Sequence, residues 1–393
     1  MSKIDELIQR LCPKGVEHKS LGSLIQVFRG KRLTKKELSD EEKHPVYHGG
    51  LEPLGYYSQS NREGNTVMVI NVGASAGTVG YSNVDFWSSD GCFALGSSEQ
   101  LISRYLYYAL ICQEKNLRSN VRVAGIPTLD ASAVQRVVIP VPPIEIQEEI
   151  VGILDKYILL EAELEAELEA RKTQYEHYRD TLLSFESKNV EWKELGEIGS
   201  FTRGKRFVKT DILSKGFPCI HYGEMYTHYK ISAKESKSFL DPSQAARLRV
   251  AKHGDVIIVA AGETIEDIGQ GVAWLGESDV VIHDACFAYS HKMHPNYVSH
   301  FLQTDIFHSQ IKRYISSGKI SSINASGLSK ARIPVPPIEE QIRIATILDK
   351  FHILINDIAV GLPAEIQARR KQYEYYRNKL LTFKPLNQND QEI

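Results

Sequence analysis

The sequence lacks several things that enzymes and membrane proteins carry. Its five cysteines, Cys12, Cys92, Cys112, Cys219 and Cys286, are scattered and odd in number, and no two form a CxxC pair. That suits a reducing compartment and argues against a disulfide scaffold or a zinc finger. No run of eighteen apolar residues occurs, and the charged start MSKIDELIQRLC has no signal-peptide core, so neither a membrane span nor export is expected. The phosphate-cradling GxxxxGK[ST] is absent, and so is a dinucleotide fingerprint. GASAG at 73–77 and GETIEDIGQG at 262–271 read as tight turns instead. No Asn/Asp-Pro-Pro-Tyr stretch of an amino-methyltransferase is present, and no HExxH. ESK at 186–188 and 235–237 resembles the end of a nuclease motif but has no clear partner carboxylate, and Glu186 reads as a residue near a helix end. His48, His221, His228, His291 and His294 fall in loop-like stretches and read as packing or recognition residues rather than metal ligands. The formal net charge is −2, so the overall balance gives no nucleic-acid signal. What remains is a cytoplasmic chain of 393 residues, 42% hydrophobic and 24% charged, long enough for several domains but without a convincing active site.

What is present is written twice. IPVPPIEIQEEIVGILDK at 139–156 returns as IPVPPIEEQIRIATILDK at 333–350. QYEHYRDTLLSF at 174–185 returns as QYEYYRNKLLTF at 372–383. Upstream, VEHKSLGSL (16–24) matches VEWKELGEI (190–198), and FRGKR (28–32) matches TRGKR (202–206). PVYHGG (45–50) resembles PCIHYG (218–223), and SDGCFAL (89–95) resembles HDACFAY (283–289). The chain thus reads A–B–A′–B′, with expected boundaries at 1–142, 143–186, 187–336 and 337–393.

The B segments read as long helices. Apolar residues recur every three or four positions: Ile153, Tyr157, Leu164, Tyr175, Tyr178 and Leu182 in B, and Ile347, Phe351, Ile358, Tyr373, Tyr376 and Leu380 in B′. Such stripes need an apolar partner. B and B′ packed antiparallel as a spacer is the simplest solution; B packing on its own A, or a partner protein completing the bundle, are the alternatives. Pro143 and Pro337 suit a first helical turn. Four extra residues in B′, near GLPA at 361–364, would shift the stripe by about one turn, roughly 6 Å, and Pro363 should kink or restart the helix there. The A segments read as α+β domains. Short strands VMVINVG (67–73) and DVIIVAAG (255–262) end in glycine, and helices are expected at 101–111 and 298–315.

Positive charge is concentrated in the A segments. Arg29, Lys31 and Arg32, then Arg203, Lys205 and Arg206, lie in acid-free RGKR stretches. Arg118 and Arg122 lie in a second basic stretch, and Lys312, Arg313 and Lys319 lie between residues 306 and 338, where no acid occurs. Acids are dense in EAELEAELEA at 161–170. Basic side chains beside a glycine suit contact with phosphates. Tyr47, His48 and His221 join the candidates by loop position. Rigidly spaced basic loops fit duplex DNA better than RNA, and the sequence shows no aromatic stacking platform of the single-strand type. A DNA methyltransferase or nuclease acting alone, and a purely structural protein scaffold, remain the other readings.

These features together resemble the DNA-specificity subunit of type I restriction-modification enzymes. The paired IPVPPIE-x-Q, the ILDK stretches, the QYExYR tails and LPAEIQARRKQYEYYR at 362–377 carry the likeness. The resemblance implies two α+β target-recognition domains separated by two long antiparallel coiled-coil-like helices with pseudo-twofold symmetry. It implies a non-catalytic subunit that reads a bipartite duplex target. Its partners would be two methyltransferase subunits that use S-adenosylmethionine, and two restriction/motor subunits that use ATP and Mg. The short N-terminal arm is expected to pack beside the C-terminal helix.

Overall fold

The computed structural model describes residues 3–185 and 190–386, and in it the duplication is visible strand by strand. Helix α1 (Lys3–Leu11) opens the chain. In the first α+β domain β1 (Val27–Arg29) is followed by β2 (His44–Tyr47), β3 (Thr66–Ile70), β4 (Val79–Ser82), β5 (Trp87–Ser88) and β6 (Cys92–Leu95). An antiparallel sheet forms in the order β1-β6-β3-β4, while β2 and β5 pair in parallel beside it. Val67 to Ile70 are all buried, as befits a central strand covered on both faces. Helix α2 (Ser103–Cys112) packs on this sheet, and α3 (Ile144–Ser184) follows.

The second domain repeats the plan. It contains β7 (Gly199–Arg203), β8 (Phe217–Ile220), β9 (Val256–Val259), β10 (Gly271–Trp274), β11 (Val280–Ile282) and β12 (Cys286–His291). The sheet order β7-β12-β9-β10, with Ser232–Ala233 at its edge, matches the first, and β8 pairs in parallel with β11. Register agrees as well: Val69 lies opposite Phe93 and Val79, and Ile258 opposite Phe287 and Gly271. The helix expected over 298–315 is broken into α4 (Pro295–Phe301), a second piece Asp305–Ile311 and a 3-10 turn Lys312–Tyr314. Thr304 makes the break, its hydroxyl accepting the Phe307 N–H at 3.2 Å as a cap. Helices α5 (Ile338–Asn356) and α6 (Leu362–Leu380) end the fold.

The repeated proline connectors have a packing reason. A buried proline brings no N–H that must find a partner, so only its carbonyl has to be satisfied. The Tyr105 hydroxyl donates to the Pro140 carbonyl at 3.0 Å, and Gln147 Nε2 donates to the Pro142 carbonyl at 2.8 Å. The same bonds recur from Tyr297 to Pro334 (3.0 Å) and from Gln341 to Pro336 (2.8 Å). Each glutamine oxygen accepts one further backbone N–H, from Ile102 or His294, both at 2.9 Å. The aspartate of each ILD stretch is held in the same way: Asp155 accepts from Arg104 and Tyr108 of α2, and Asp349 accepts from Asn296 and His300 of α4. Pro337 stands just before the first helical residue rather than inside the first turn.

Packing gathers the described residues into two units. One holds those up to Glu163 and from Ile366 onward; the other is Leu164–Glu365. In the first unit Tyr157 stacks on Tyr376 at 5.5 Å and Glu161 pairs with Arg370, so α3 and α6 run antiparallel there. Tyr373 meets Tyr108 edge-on, and Leu380 packs on the domain core. In the second unit Tyr178 packs on Phe351 at 5.5 Å, Tyr175 is buried against His300 and His352, and Leu182 lies on the core. Ile153, Leu164 and Ile347 are half-buried. Each long helix also packs on its own domain: Ile146, Ile150 and Leu154 are fully buried in the first core, and Ile344, Ala345 and Leu348 in the second. Helix–helix pairing and packing on the preceding domain are therefore both used, on different faces.

Helix α3 runs 41 residues without a break, whereas B′ is two helices of 19 residues joined by 357–361. The four surplus residues form this turn and do not lengthen a helix. The Asp357 carboxylate accepts the Ala359 and Val360 N–H groups at 2.7 and 3.1 Å. A Cβ on Gly361 would stand 2.6 Å from the Ile353 carbonyl. Pro363 is the second residue of α6. Ile358, expected in the helix seam, lies in this turn and is 80% exposed. At the other end of the chain Val16 sits between Lys384 and Leu386, with backbone hydrogen bonds of 2.9 Å to each. The arm thus packs beside the C-terminal segment.

Candidate nucleic-acid interface

In the second unit the basic loops converge. Arg203, at the end of β7, and Arg206, just after it, border an open cleft of about 800 Å³. Lys209, His221, Tyr222, His283, Asp284, Glu263 and Lys319 line the rest of it. Four cations face two carboxylates, so the cleft favours an anion. The Arg203 Nε donates to the Asp284 carbonyl at 3.0 Å, and Arg249 donates to the Arg203 carbonyl at 2.8 Å. Lys205 turns away to the Arg247 carbonyl at 2.8 Å. The floor is aromatic. The His221 and His283 rings lie 4.7 Å apart, with Phe207 and Tyr222 against them. His283 Nε2–H donates to the Phe207 carbonyl and its Nδ1 accepts the Ala285 N–H, both at 3.1 Å, which fixes a neutral tautomer. Burial holds both histidines below the usual imidazole range, and for His221 the neighbouring His283 adds to the effect.

The first unit assembles its candidates less tightly. Arg29 lines a small recess of about 160 Å³ with Asn71, Thr128 and Asp130. Lys31 and Arg32 stand exposed on the loop after β1. Arg122 pairs with Asp130 at 2.9 Å. His48 Nδ1 accepts the Gly91 N–H at 3.1 Å and faces Asp90. Gly91 is the counterpart of Ala285, so a histidine satisfies the same amide from opposite strands in the two domains. Tyr47, expected at the interface, is half-buried and packs edge-on against Phe86. Arg118 bonds Glu114 and the Thr78 hydroxyl, both at 2.9 Å, and its backbone backs onto Gly77, so it is tied into the domain. Lys312 and Arg313 lie outside the cleft: Lys312 borders a separate recess with Asp305 and His308, and Arg313 stacks over Tyr314.

The RGKR glycine has a different role from the one its sequence suggests. A Cβ on Gly30 would stand 2.1 Å from the Ser89 carbonyl, and one on Gly204 2.1 Å from the His283 carbonyl. The glycine lets the chain after β1 and β7 pass a strand end closely; the Lys31 N–H donates to the Ser88 carbonyl there, whereas the Gly204 N–H donates to the Cys286 carbonyl of β12. Lys209 belongs to the acid-free basic stretch that opens with RGKR; sequence reasoning missed Tyr222, His283 and Asn71. HDACFAY against SDGCFAL carried a signal for His283, since it places a ring where the first domain has Ser89. Of the other motifs, GASAG and GETIEDIGQG are tight turns after β3 and β9, closed by Gly77 and Gly269 at positive φ. His291 and His294 are folded inside the second unit, and the Ser236 hydroxyl of the second ESK donates to backbone carbonyls. The first ESK, with Glu186, lies outside the described residues. Among the described residues no group of three or more His, Cys, Asp or Glu could hold a metal ion, and no helix is long and apolar enough to cross a membrane.

Residues 13–170 and 187–368 each match the profile of the type I restriction modification DNA specificity domain. The chain belongs to that family. A type I restriction enzyme specificity subunit of Haemophilus influenzae is 29% identical over 382 residues, covering 94% of this chain and 96% of the relative. The EcoR124I/EcoR124II specificity subunit of Escherichia coli is 36% identical over 258 residues, covering 62% and 61%. In fold, the S subunit of a type I restriction-modification system from M. genitalium aligns with a TM-score of 0.57 at 17% identity, covering 93% of this chain and 96% of that one. A chain of another type I R-M system, solved in work on complex assembly and conformational transition, aligns at 0.63 with 14% identity, covering 94% and 98%. The two α+β domains of the specificity fold, each carried on a long helix, are those described above.

Proposed function

We propose that this chain is the sequence-reading subunit of a type I restriction-modification system. Each α+β domain engages one half of a two-part duplex target. The observation that carries the reading is the cleft of the second unit, where Arg203 and Arg206, His221, and Lys319 come from three chain segments to one open, cationic surface. Cations there neutralise phosphates, while histidine and tyrosine groups offer donors and acceptors to base edges. The chain itself performs no chemistry. Adenine methylation belongs to two methyltransferase subunits with S-adenosylmethionine, and restriction belongs to two motor subunits with ATP and Mg. The complex works in the cytoplasm, where its DNA is.

The test is selection from a pool of random duplexes by the chain assembled with its methyltransferase partner. An enriched sequence with two fixed parts and a constant gap is expected. A pool that stays random overturns the reading.

A further inference from the structure

A hairpin of the same construction borders the candidate site in both domains. Arg122 and Thr128 exchange two backbone hydrogen bonds of 2.9 and 3.0 Å, and Ser316 and Ser322 exchange two of 2.8 and 3.0 Å. The loops they close are VAGIP at 123–127 and SGKIS at 317–321. Each is pinned to the exit of its central strand. Val72 bridges Thr128 and the Gly73 N–H donates to the Pro127 carbonyl at 2.9 Å, while Ala261–Gly262 pairs with Ser321–Ser322. Between the two tips one letter is shared in place, the fourth: Ile126 and Ile320. They are 71% and 62% exposed.

Single exposed aliphatic side chains are common and need no explanation. These two differ because they occupy the same position in two copies whose surrounding letters have changed. An isoleucine held in water at a loop tip contributes nothing to the free chain's core. In the second unit the neighbours define the occupant. Ile320 lines the same cleft as Arg203, Arg206 and Lys319, and its loop neighbours are serine, glycine and lysine rather than an apolar patch. A lone apolar tip among cations fits a polyanion that also exposes small apolar groups. Duplex DNA does so in its major groove, through the thymine C5-methyl group.

Resting on the DNA-reading function proposed above, we infer that Ile126 and Ile320 are specificity-determining residues, each entering the groove of its half-site and packing on a thymine methyl group. The flanking cations grip the backbone while the isoleucine replaces water at the base edge.

The experiment uses the chain assembled with its methyltransferase partner, carrying Ile126→Ala or Ile320→Ala. Both sites are exposed, so the fold is not at stake. Affinity is measured for the selected duplex and for a scrambled one across a range of salt concentrations. Each variant should lose about tenfold on the selected duplex, with no change on the scrambled duplex and the same salt slope. Replacing thymine by uracil in one half-site should weaken the unmodified protein and add nothing to the loss in the matching variant. An unchanged affinity for the selected duplex, equal losses on both duplexes, or indifference to uracil would overturn the inference. If the unmodified protein selects no duplex at all, the proposed function fails instead.

Discussion

Two arginines and a glycine in one RGKR stretch do different work, and each can be tested singly. Arg203 and Arg206 face the cleft, so replacing both by alanine should weaken binding to every duplex alike. The slope of log affinity against log salt should fall by about two. A titration of selected and scrambled DNA at several salt concentrations reads both. Gly204 meets a backbone carbonyl where a methyl group would go. Gly204→Ala should therefore cost about 2–4 kcal/mol of stability, measured as a fall in the denaturant midpoint. The letters R-G-K-R were legible as a basic turn, but the reason for the glycine was not. That reason lies on a strand some eighty residues away, and no local pattern reports it. The same limit applies to Tyr47, whose burial against Phe86 depends on a distant partner. Histidine burial sets a pH window. His291 and His352 are held down to about 4 by burial, against an ordinary 6.5. Both are neutral in the fold, while the unfolded chain takes up protons below about 6.5. Their stabilisation is thus full above that pH and drains away as the pH falls toward 4, by about 3 kcal/mol each. Denaturant midpoints should be flat above neutrality and decline through mild acid.

At the scale of elements, the glutamine of each IPVPPIE-x-Q fastens a helix start to its domain. Gln147→Ala or Gln341→Ala would leave a buried carbonyl and a buried N–H without partners. Each should cost about 1–3 kcal/mol, read by thermal or denaturant unfolding, whereas Glu145→Ala at the exposed helix surface should cost little. The helices themselves were plain from their three-and-four spacing, and the α+β domains from strands that end in glycine. Which face does what was not plain. A helix that buries two faces spreads its apolar residues, and the spacing picked out Tyr157, which stacks on Tyr376 of the second helix. The face carrying Ile146, Gln147 and Leu154 holds the domain, and a buried glutamine does not read as core. The seam position given to Ile358 failed for a different reason: Asp357 and Gly361 close a turn there, and a turn does not follow the helical period.

At the scale of the whole chain, the repeat made the organisation readable from the first pass, because two copies of a rare proline connector cannot arise independently by chance. Helix α3 is its longest unbroken element, about 60 Å at the usual rise. Inserting four residues into its acidic stretch 161–170 adds about 6 Å. The preferred gap between half-sites should change, and the letters of each half-site should not. Selection from random duplexes with the methyltransferase partner reads both at once, and altered half-site letters would count against the reading.

The hardware that fastens each domain is the same in both copies: a tyrosine and a glutamine on proline carbonyls, and an aspartate about three turns into the helix. None of these groups lies in the cationic cleft or at the hairpin tips. Drift at the cleft and hairpin loops is therefore uncoupled from the grip that keeps the loops in place. A lineage can rewrite what is read and keep its mounting, so the letters of the target are free to change much faster than the chain that displays them.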